Sequence, residues 1–143
     1  DLVERDRSGA SLRVTDYKTG SVPSRLNGLV IGGGATLQPV LYGLSAEQAL
    51  GRPVISARLF FSTTRGGFVS HDVLLNEQAR RLGAEALEVI DRAVSTGCLP
   101  AAPQSGACAR CDMRPVCGPD AERRASRKPE GLLVDLLALR SRP

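Results

Sequence analysis

The amino-acid sequence predicts a small α/β domain, a mixed β-sheet with helices packed against it. Three observations lead there. Residues 12–17 and 54–62 alternate apolar and polar side chains with a period of two, as half-buried strands do. Residues 36–50 and 76–96 carry apolar side chains at helical spacing between start and stop signals. The elements then run hairpin, helix, strand pair, helix, so strands and helices are interleaved rather than segregated. At 143 residues, the chain is long enough for one domain with a real hydrophobic core and too short for two substantial ones.

The first element is a hairpin. Residues 1–4 precede a polar loop containing Gly9, and Leu12 and Val14 then alternate with Arg13 and Thr15. Pairing the two strands brings Asp1 alongside the end of the second, where Asp16 lies. Residues two apart on a strand share a face, so Asp16 and Lys18 point the same way. Lysine is scarce: Lys18 and Lys128 are the only two, and every other basic residue is arginine. An ammonium is a compact, tunable charge and a guanidinium is not, so a lysine kept beside an aspartate hints at chemistry. A surface ion pair before a Thr19-Gly20 turn explains the same spacing, and both readings stay open at this point.

Residues 20–35, with Pro23, Gly28 and the run Gly32-Gly33-Gly34, read as a flexible connection without the spacing of a phosphate-binding loop. A helix is expected over residues 36–50. Thr36 is its N-cap, Pro39 sits in the first turn, and Gly51 and Pro53 stop it. Leu37, Val40, Leu41 and Leu44 form its apolar stripe. Gln38 and Tyr42, four apart, are neighbours on one side, where a polar boundary and a core-edge aromatic are the plain alternative. In the next strand Ile55, Ala57, Leu59 and Phe61 are expected inside, against Ser56, Arg58 and Phe60. Arg65-Gly66-Gly67 turns the chain into a strand over residues 68–74. Asn76 caps a long helix ending at Gly97, with Leu82, Ala86, Val89, Ile90 and Ala93 on its core face. His71, the only histidine, reads as an ordinary half-exposed residue. No serine or cysteine is set beside it in triad fashion, which removes nucleophilic catalysis.

Composition narrows the function classes. The formal net charge is +4, and its basic end runs from Arg110 through Arg114, Arg123, Arg124, Arg127, Lys128, Arg140 and Arg142. That balance is compatible with a polyanionic partner. The few aromatics (Tyr17, Tyr42, Phe60, Phe61, Phe68) argue against an open stacking platform for single strands. No stretch approaches about 20 continuous apolar residues, so no membrane span is expected, and no signal peptide is evident. The chain starts without Met and reads as part of a longer, cytoplasmic polypeptide.

Cys108, Cys111 and Cys117 make a C-x2-C-x5-C segment. Two thiolates two residues apart serve one metal or cluster from a single turn, and a third folds back over it. Spacing alone leaves three options open: zinc completed by Cys98, an iron–sulfur cluster with a fourth ligand from elsewhere, or buried free thiols. Disulfides fit an intracellular chain least well. Residues 132–139, LLVDLLAL, read as a terminal helix that packs on the domain or docks on a partner.

With these residues in hand, the chain resembles the PD-(D/E)XK nuclease superfamily. Within it, the resemblance is to the branch of the bacterial RecB and AddB helicase–nucleases and the CRISPR-associated exonucleases. Asp1-Leu2-Val3 is similar to the family's first acidic motif, without the Gly-x-Ile/Val that normally precedes it. Asp16-Tyr17-Lys18-Thr19-Gly20 matches the DYKTG signature letter for letter. Gln38-Pro39-Val40-Leu41-Tyr42 matches the Q-x3-Y helix motif that follows, and Cys108, Cys111 and Cys117 resemble the last three cysteines of the iron–sulfur members. The resemblance implies a restriction-endonuclease-like α/β fold with its N-terminal part missing. A nuclease core with its cysteine segment would occupy residues 1–119, and a basic linker with a short apolar helix residues 120–143.

It further implies metal-dependent hydrolysis of DNA phosphodiesters in repair or recombination. Asp1, Asp16 and the Tyr17 backbone carbonyl would hold Mg²⁺ or Mn²⁺. Lys18 would orient or deprotonate the attacking water, and Gln38 and Tyr42 would stand beside the scissile phosphate or hold Lys18. Cys108, Cys111 and Cys117 would bind a 4Fe–4S cluster whose fourth cysteine lies upstream, with zinc and Cys98 as the second reading. Arg13, Arg25, Arg58 and Arg65 are candidates for the DNA backbone, and a helicase domain or subunit is the implied partner. Two rival functions remain: a catalytically silent relative that binds DNA or scaffolds a complex, and a small zinc-binding interaction domain.

Overall fold

Four strands form one sheet in the order β1–β2–β3–β4. β1 (Leu2–Arg5) and β2 (Leu12–Lys18) are the expected antiparallel hairpin, with Leu2 opposite Thr15 and Arg5 opposite Leu12. β3 (Val54–Phe61) lies parallel to β2, placing Asp16 opposite Leu59 and Lys18 opposite Phe61. Parallel neighbours need a crossover, and helix α1 (Gln38–Leu50) provides it. β4 (Ser70–Leu74) returns antiparallel to β3, with His71 opposite Leu59. The structure, a computed structural model, describes every residue except Asp6, Arg7, Ser24, Arg25 and Asn27. This mixed sheet flanked by helices is the expected fold class.

The described chain divides into two compact units, Asp1–Leu87 with Leu139–Pro143, and Glu88–Ala138. In the first unit one sheet face is the core: Leu12, Val14, Ala57, Leu59, Phe61 and Val73 are all buried. The opposite face carries the Arg13–Glu4 and Arg58–Asp72 ion pairs, both at 2.9 Å, and an edge-to-face contact of Tyr17 with Phe60. One expected core position is corrected. The register slips at the start of β2, where Leu12 faces Val54 and Arg13 faces Ser56. This bulge drops Ile55 out of the alternation, leaving it 52% exposed.

Helix α2 (Glu77–Ser95) starts where expected, with Asn76 Oδ1 accepting the Ala79 N–H at 2.9 Å. Its buried face is Ala79, Leu82, Gly83 and Ala86, while Ile90, expected inside, is exposed. α1 and α2 approach closely. A Cβ on Gly83 would lie 2.7 Å from Val40 Cγ1, and one on Gly43 would lie 2.2 Å from Leu75 Cδ1. The N-cap expected at Thr36 is also corrected. α1 begins at Gln38 after Leu37, which is already helical and makes no side-chain cap, because Thr36 is drawn into the preceding turn by its N–H bond to Ile31 O at 2.9 Å.

That turn overturns the reading of the glycine run as a mobile connection. Gly32–Gly34 forms a 3₁₀ turn that grips the last residues of the chain. Ile31 and Gly32 donate to Pro143 O at 2.9 and 3.2 Å, and Gly33 donates to Arg142 O at 3.0 Å. Gly33 has φ +61°, and a Cβ there would stand 2.7 Å from Arg140 O. Ile31 beside it is fully buried. The second correction of this kind is His71, which is 8% exposed rather than half-exposed. Its Nε2 lies 3.1 Å from Leu29 O, fastening the same connection to the sheet.

At the other end of α1, Glu47 joins three elements. It takes a bidentate contact from Arg80 of α2 at 2.7 and 2.8 Å and the Val54 N–H of β3 at 2.8 Å. Arg80 also donates to Leu75 O and Val54 O, at 3.1 and 3.3 Å. The Arg80 hydrogen bonds first, and the Val54 N–H second, lower the Glu47 pKa from 4.5 to about 2.

In the second unit, Glu122 of the short helix α4 (Ala121–Ala125) accepts the N–H groups of Gly106 and Cys108 at 3.2 and 3.0 Å. Arg124 donates to the carbonyls of Cys117 and Pro119. Helix α3 (Arg114–Cys117) lies between these contacts in sequence. The apolar segment near the C-terminus forms helix α5 (Val134–Arg140), whose Asp135 pairs with Arg92 at 3.0 Å.

Two predictions test this construction. The stabilisation from Glu47, whose folded pKa is depressed, is complete above its unfolded value near 4.5 and is lost as pH falls through about 2. The stability gap between wild type and Glu47→Gln, measured by denaturant unfolding, should therefore narrow from pH 5 to pH 2. A gap independent of pH would remove the charge from the explanation. Gly33→Ala should cost about 1–3 kcal/mol through left-handed strain and collision with Arg140. Gly51→Ala, also at positive φ but with open space around its Cβ, should cost less in the same thermal melts.

Candidate functional site

The site is built where β2 ends. Leu12, Val14, Asp16 and Lys18 share the core face of the strand, so the alternation that buries the two apolar residues also buries Asp16 and leaves Lys18 half-buried at its end. The Asp16 side chain is only 7% exposed and that of Lys18 34%. An isolated carboxylate in such a place would be costly. Lys18 Nζ stands 2.6 Å from Asp16 Oδ2. Gln38, the first residue of α1, completes the set: its amide Nε2 donates to Asp16 Oδ1 at 3.3 Å, and its Oε1 accepts from Lys18 Nζ. Asp16, Lys18 and Gln38 are thus one closed ring of contacts. The positive end of the α1 dipole, which has no acidic residue in its own first turn, also lies within a side chain's reach of the carboxylate.

Other expected site residues are placed differently. Asp1 precedes β1, one residue before the Leu2–Thr15 pair, and is exposed. Tyr42 is one turn beyond Gln38 on α1 and about one-third exposed. Tyr17 points its ring to the opposite sheet face, against Phe60. Arg13 and Arg58 lie on that far face too, each neutralised by its acidic partner. Arg25 lies outside the described residues. Arg65 is exposed on the loop after β3, and no ion pair with it forms among the described residues.

Sequence reasoning missed how that loop is attached. Ser62 donates its N–H to Lys18 O at 3.0 Å, and Thr63 Oγ1 donates to Thr19 O at 3.3 Å. A Cβ on Gly66 would sit 2.9 Å from Gly20 O. The loop is therefore pressed against the chain immediately after Lys18. The Arg-Gly-Gly triplet announced a turn, but nothing local announced its neighbour.

The donor set can be tested for a divalent cation. Among the described residues, Asp16 Oδ2 is buried with no hydrogen bond, and the Lys18 ammonium is its ion-pair partner. A carboxylate oxygen with spare acceptor capacity is what a hard cation takes, and Mg²⁺ needs only one or two carboxylates beside water and phosphate. The Asp16 oxygen fits that modest requirement for one carboxylate. Among the described residues, no group of three or more His, Cys, Asp or Glu side chains is gathered to hold a metal by itself.

That absence covers the cysteine segment as well. Cys98, Cys108, Cys111 and Cys117 are all free thiols, and only Cys108 is partly buried. Burial, then the Glu122 carboxylate, and then the charges of Cys111 and Cys117 push the Cys108 thiol up. The three thiols of the motif are near enough to sense one another, but they are not drawn into a ligand sphere.

Comparison with known proteins gives one match. The comparisons with curated proteins and with solved structures find none. The sequence pattern of one family extends over residues 1–118, which takes in the hairpin, the Asp16–Lys18–Gln38 ring and all four cysteines. On that match the chain belongs to the PD-(D/E)XK nuclease superfamily.

Proposed function

We propose that this chain is the nuclease domain of a protein that hydrolyses DNA phosphodiester bonds with Mg²⁺ or Mn²⁺. The observation that carries this reading is the ring of Asp16, Lys18 and Gln38, with a buried carboxylate oxygen that lacks a hydrogen bond. Asp16, Asp1 and the Tyr17 carbonyl are the groups that would hold the cation. When bound, the cation supplies Lewis-acid polarisation of the phosphate and a more acidic water.

The side chains have separate tasks. Lys18 keeps its ammonium at the edge of the buried region, where it orients the attacking water and faces the charge that grows on the phosphoryl oxygens. The water oxygen bonds to phosphorus and gives up one proton to solvent as the bond to the departing sugar oxygen breaks, and that oxygen takes up a proton from solvent in return. Gln38 holds both partners at once, so Lys18 cannot swing away without breaking a contact to a neutral amide. Tyr42 stands one turn further along as a contact for the same phosphate. The finer placement is in the branch of the RecB and AddB helicase–nucleases and the CRISPR-associated exonucleases, acting on DNA in repair or recombination beside a helicase domain or subunit. It rests on the DYKTG and Q-x3-Y residues.

In that branch Cys108, Cys111 and Cys117 are three donors to a 4Fe–4S cluster completed by a cysteine from elsewhere. The support is their spacing and their free state.

Cleavage of linear and circular DNA in Mg²⁺ or Mn²⁺ tests the main reading. Lys18→Ala should lower the rate by about 10²–10³-fold, as loss of a transition-state charge contact does. Equal cleavage by variant and wild type would remove Lys18 from the chemistry. For the cysteines, protein purified without oxygen should show a broad visible absorbance that bleaches on reduction. Stoichiometric zinc with no such band would replace the cluster reading.

A further inference from the structure

The loop after β3 holds a feature that the hydrolytic ring does not use. Phe68 adopts φ +54°, a left-handed conformation rare for a bulky side chain. Its neighbour Gly67 has φ +64°, where glycine is at ease. Gly or Asn would suit position 68 better, yet the residue there is a phenylalanine 61% exposed. A single exposed apolar residue needs no explanation. One held in a strained conformation does, because such strain of about 1–3 kcal/mol persists only where the surroundings impose it.

The surroundings do impose it. Thr63 caps the short turn Thr64–Gly66 by accepting the Gly66 N–H on its side chain at 3.1 Å. The N–H of Phe68 reaches Thr63 O at 3.4 Å, and Val69 bonds back to Gly66 O at 3.4 Å and to Phe61 N at 2.9 Å. The whole turn is bonded to the chain that follows Lys18 through Ser62 and Thr63. Arg65 at its tip is the one expected DNA contact among the described residues that no acid neutralises, since Arg13 and Arg58 are paired on the far face.

We propose that this turn is the strand-positioning element of the site: Phe68 stacks on a nucleobase next to the bond to be cut, and Arg65 pairs with a backbone phosphate. The proposal rests on the nuclease reading above and adds Phe68 to it, with Arg65, already a candidate for the DNA backbone, beside it on the same turn. A base offers its face only when unpaired or at a strand end, so Phe68 recognises a single-stranded segment. One ring is a single stacking contact rather than a platform.

The test uses single-stranded oligonucleotides carrying 2-aminopurine at one position at a time, with Ca²⁺ replacing Mg²⁺ so that binding is read without cleavage. Wild type should change the fluorescence at one or two adjacent positions. Phe68→Gly should abolish that signal and weaken binding about 5- to 150-fold, while its thermal midpoint stays level or rises. Phe68→Tyr, which keeps a ring, should retain signal and affinity. Arg65→Ala should weaken binding at every sequence and reduce the salt slope by about one counterion.

Unchanged affinity and signal in Phe68→Gly would overturn the stacking role and leave the nuclease reading to the Lys18→Ala comparison. Equal loss in Phe68→Gly and Phe68→Tyr would also overturn it. Failure of wild type to bind any single-stranded oligonucleotide would likewise overturn the stacking role, while the nuclease reading is decided separately by cleavage of linear and circular DNA.

Discussion

Asp16 is a carboxylate carried into a hydrophobic core by the same alternation that buries Leu12 and Val14. A charge in that position is tolerated only if it is paired and hydrogen-bonded, and the partners must come from different places in the chain. Lys18 is local, two residues along the same face. Gln38 is not, and it reaches Asp16 only because α1 begins directly over the end of β2. The placement of one helix terminus relative to one strand terminus is therefore what the site depends on.

That placement is fixed from several sides. Glu47 anchors the far half of α1 to β3 and α2 through three hydrogen bonds, and the same contacts lower its pKa to about 2. Gly43 and Gly83 let Leu75 and Val40 fill the space where side chains would otherwise separate the helices. The turn Gly32–Gly34 determines how the connection enters α1, and His71 ties that connection to the strand beside Leu59. Among the described residues none of these is bonded to the Asp16–Lys18–Gln38 ring, yet each limits where Gln38 can be. The ring is thereby pre-formed, and on the proposed reading such preorganisation provides electrostatic stabilisation without reorganisation during reaction.

The parts legible in the sequence were those with local causes. The strand period, the Asn76 cap, the Gly51 stop and the Asp16–Lys18 spacing all depend on neighbours a few residues away. Ile55 misled because a bulge set by pairing with β2 changes the phase of the alternation, and no property of residues 54–61 encodes that. His71 and the glycine run misled for a related reason. A lone histidine between a turn and a strand and three glycines in a connection look permissive, and their partners, Leu29 O and the last residues of the chain, are remote in sequence. The Glu47–Arg80 clamp, spanning two helices, was invisible for the same cause. Spacing could not decide whether Asp16 and Lys18 were ornamental. The superfamily match and the contact with Gln38 favour a chemical role, which the cleavage comparison is designed to decide.

The distribution of arginines leads further. Two expected nucleic-acid contacts, Arg13 and Arg58, spend their charge on Glu4 and Asp72 across the sheet face opposite Asp16. Screened, paired charges on the far side of a sheet add little attraction for a phosphate at the near side. Among the described candidates, the positive charge left unpaired is then the exposed guanidinium of Arg65 on a loop bonded to the backbone after Lys18, beside the Lys18 ammonium itself. Two cations near one strand terminus hold one strand's backbone more naturally than they embrace a duplex. On the proposed reading a base from that strand rests against the ring that the loop exposes at the cost of backbone strain, Phe68.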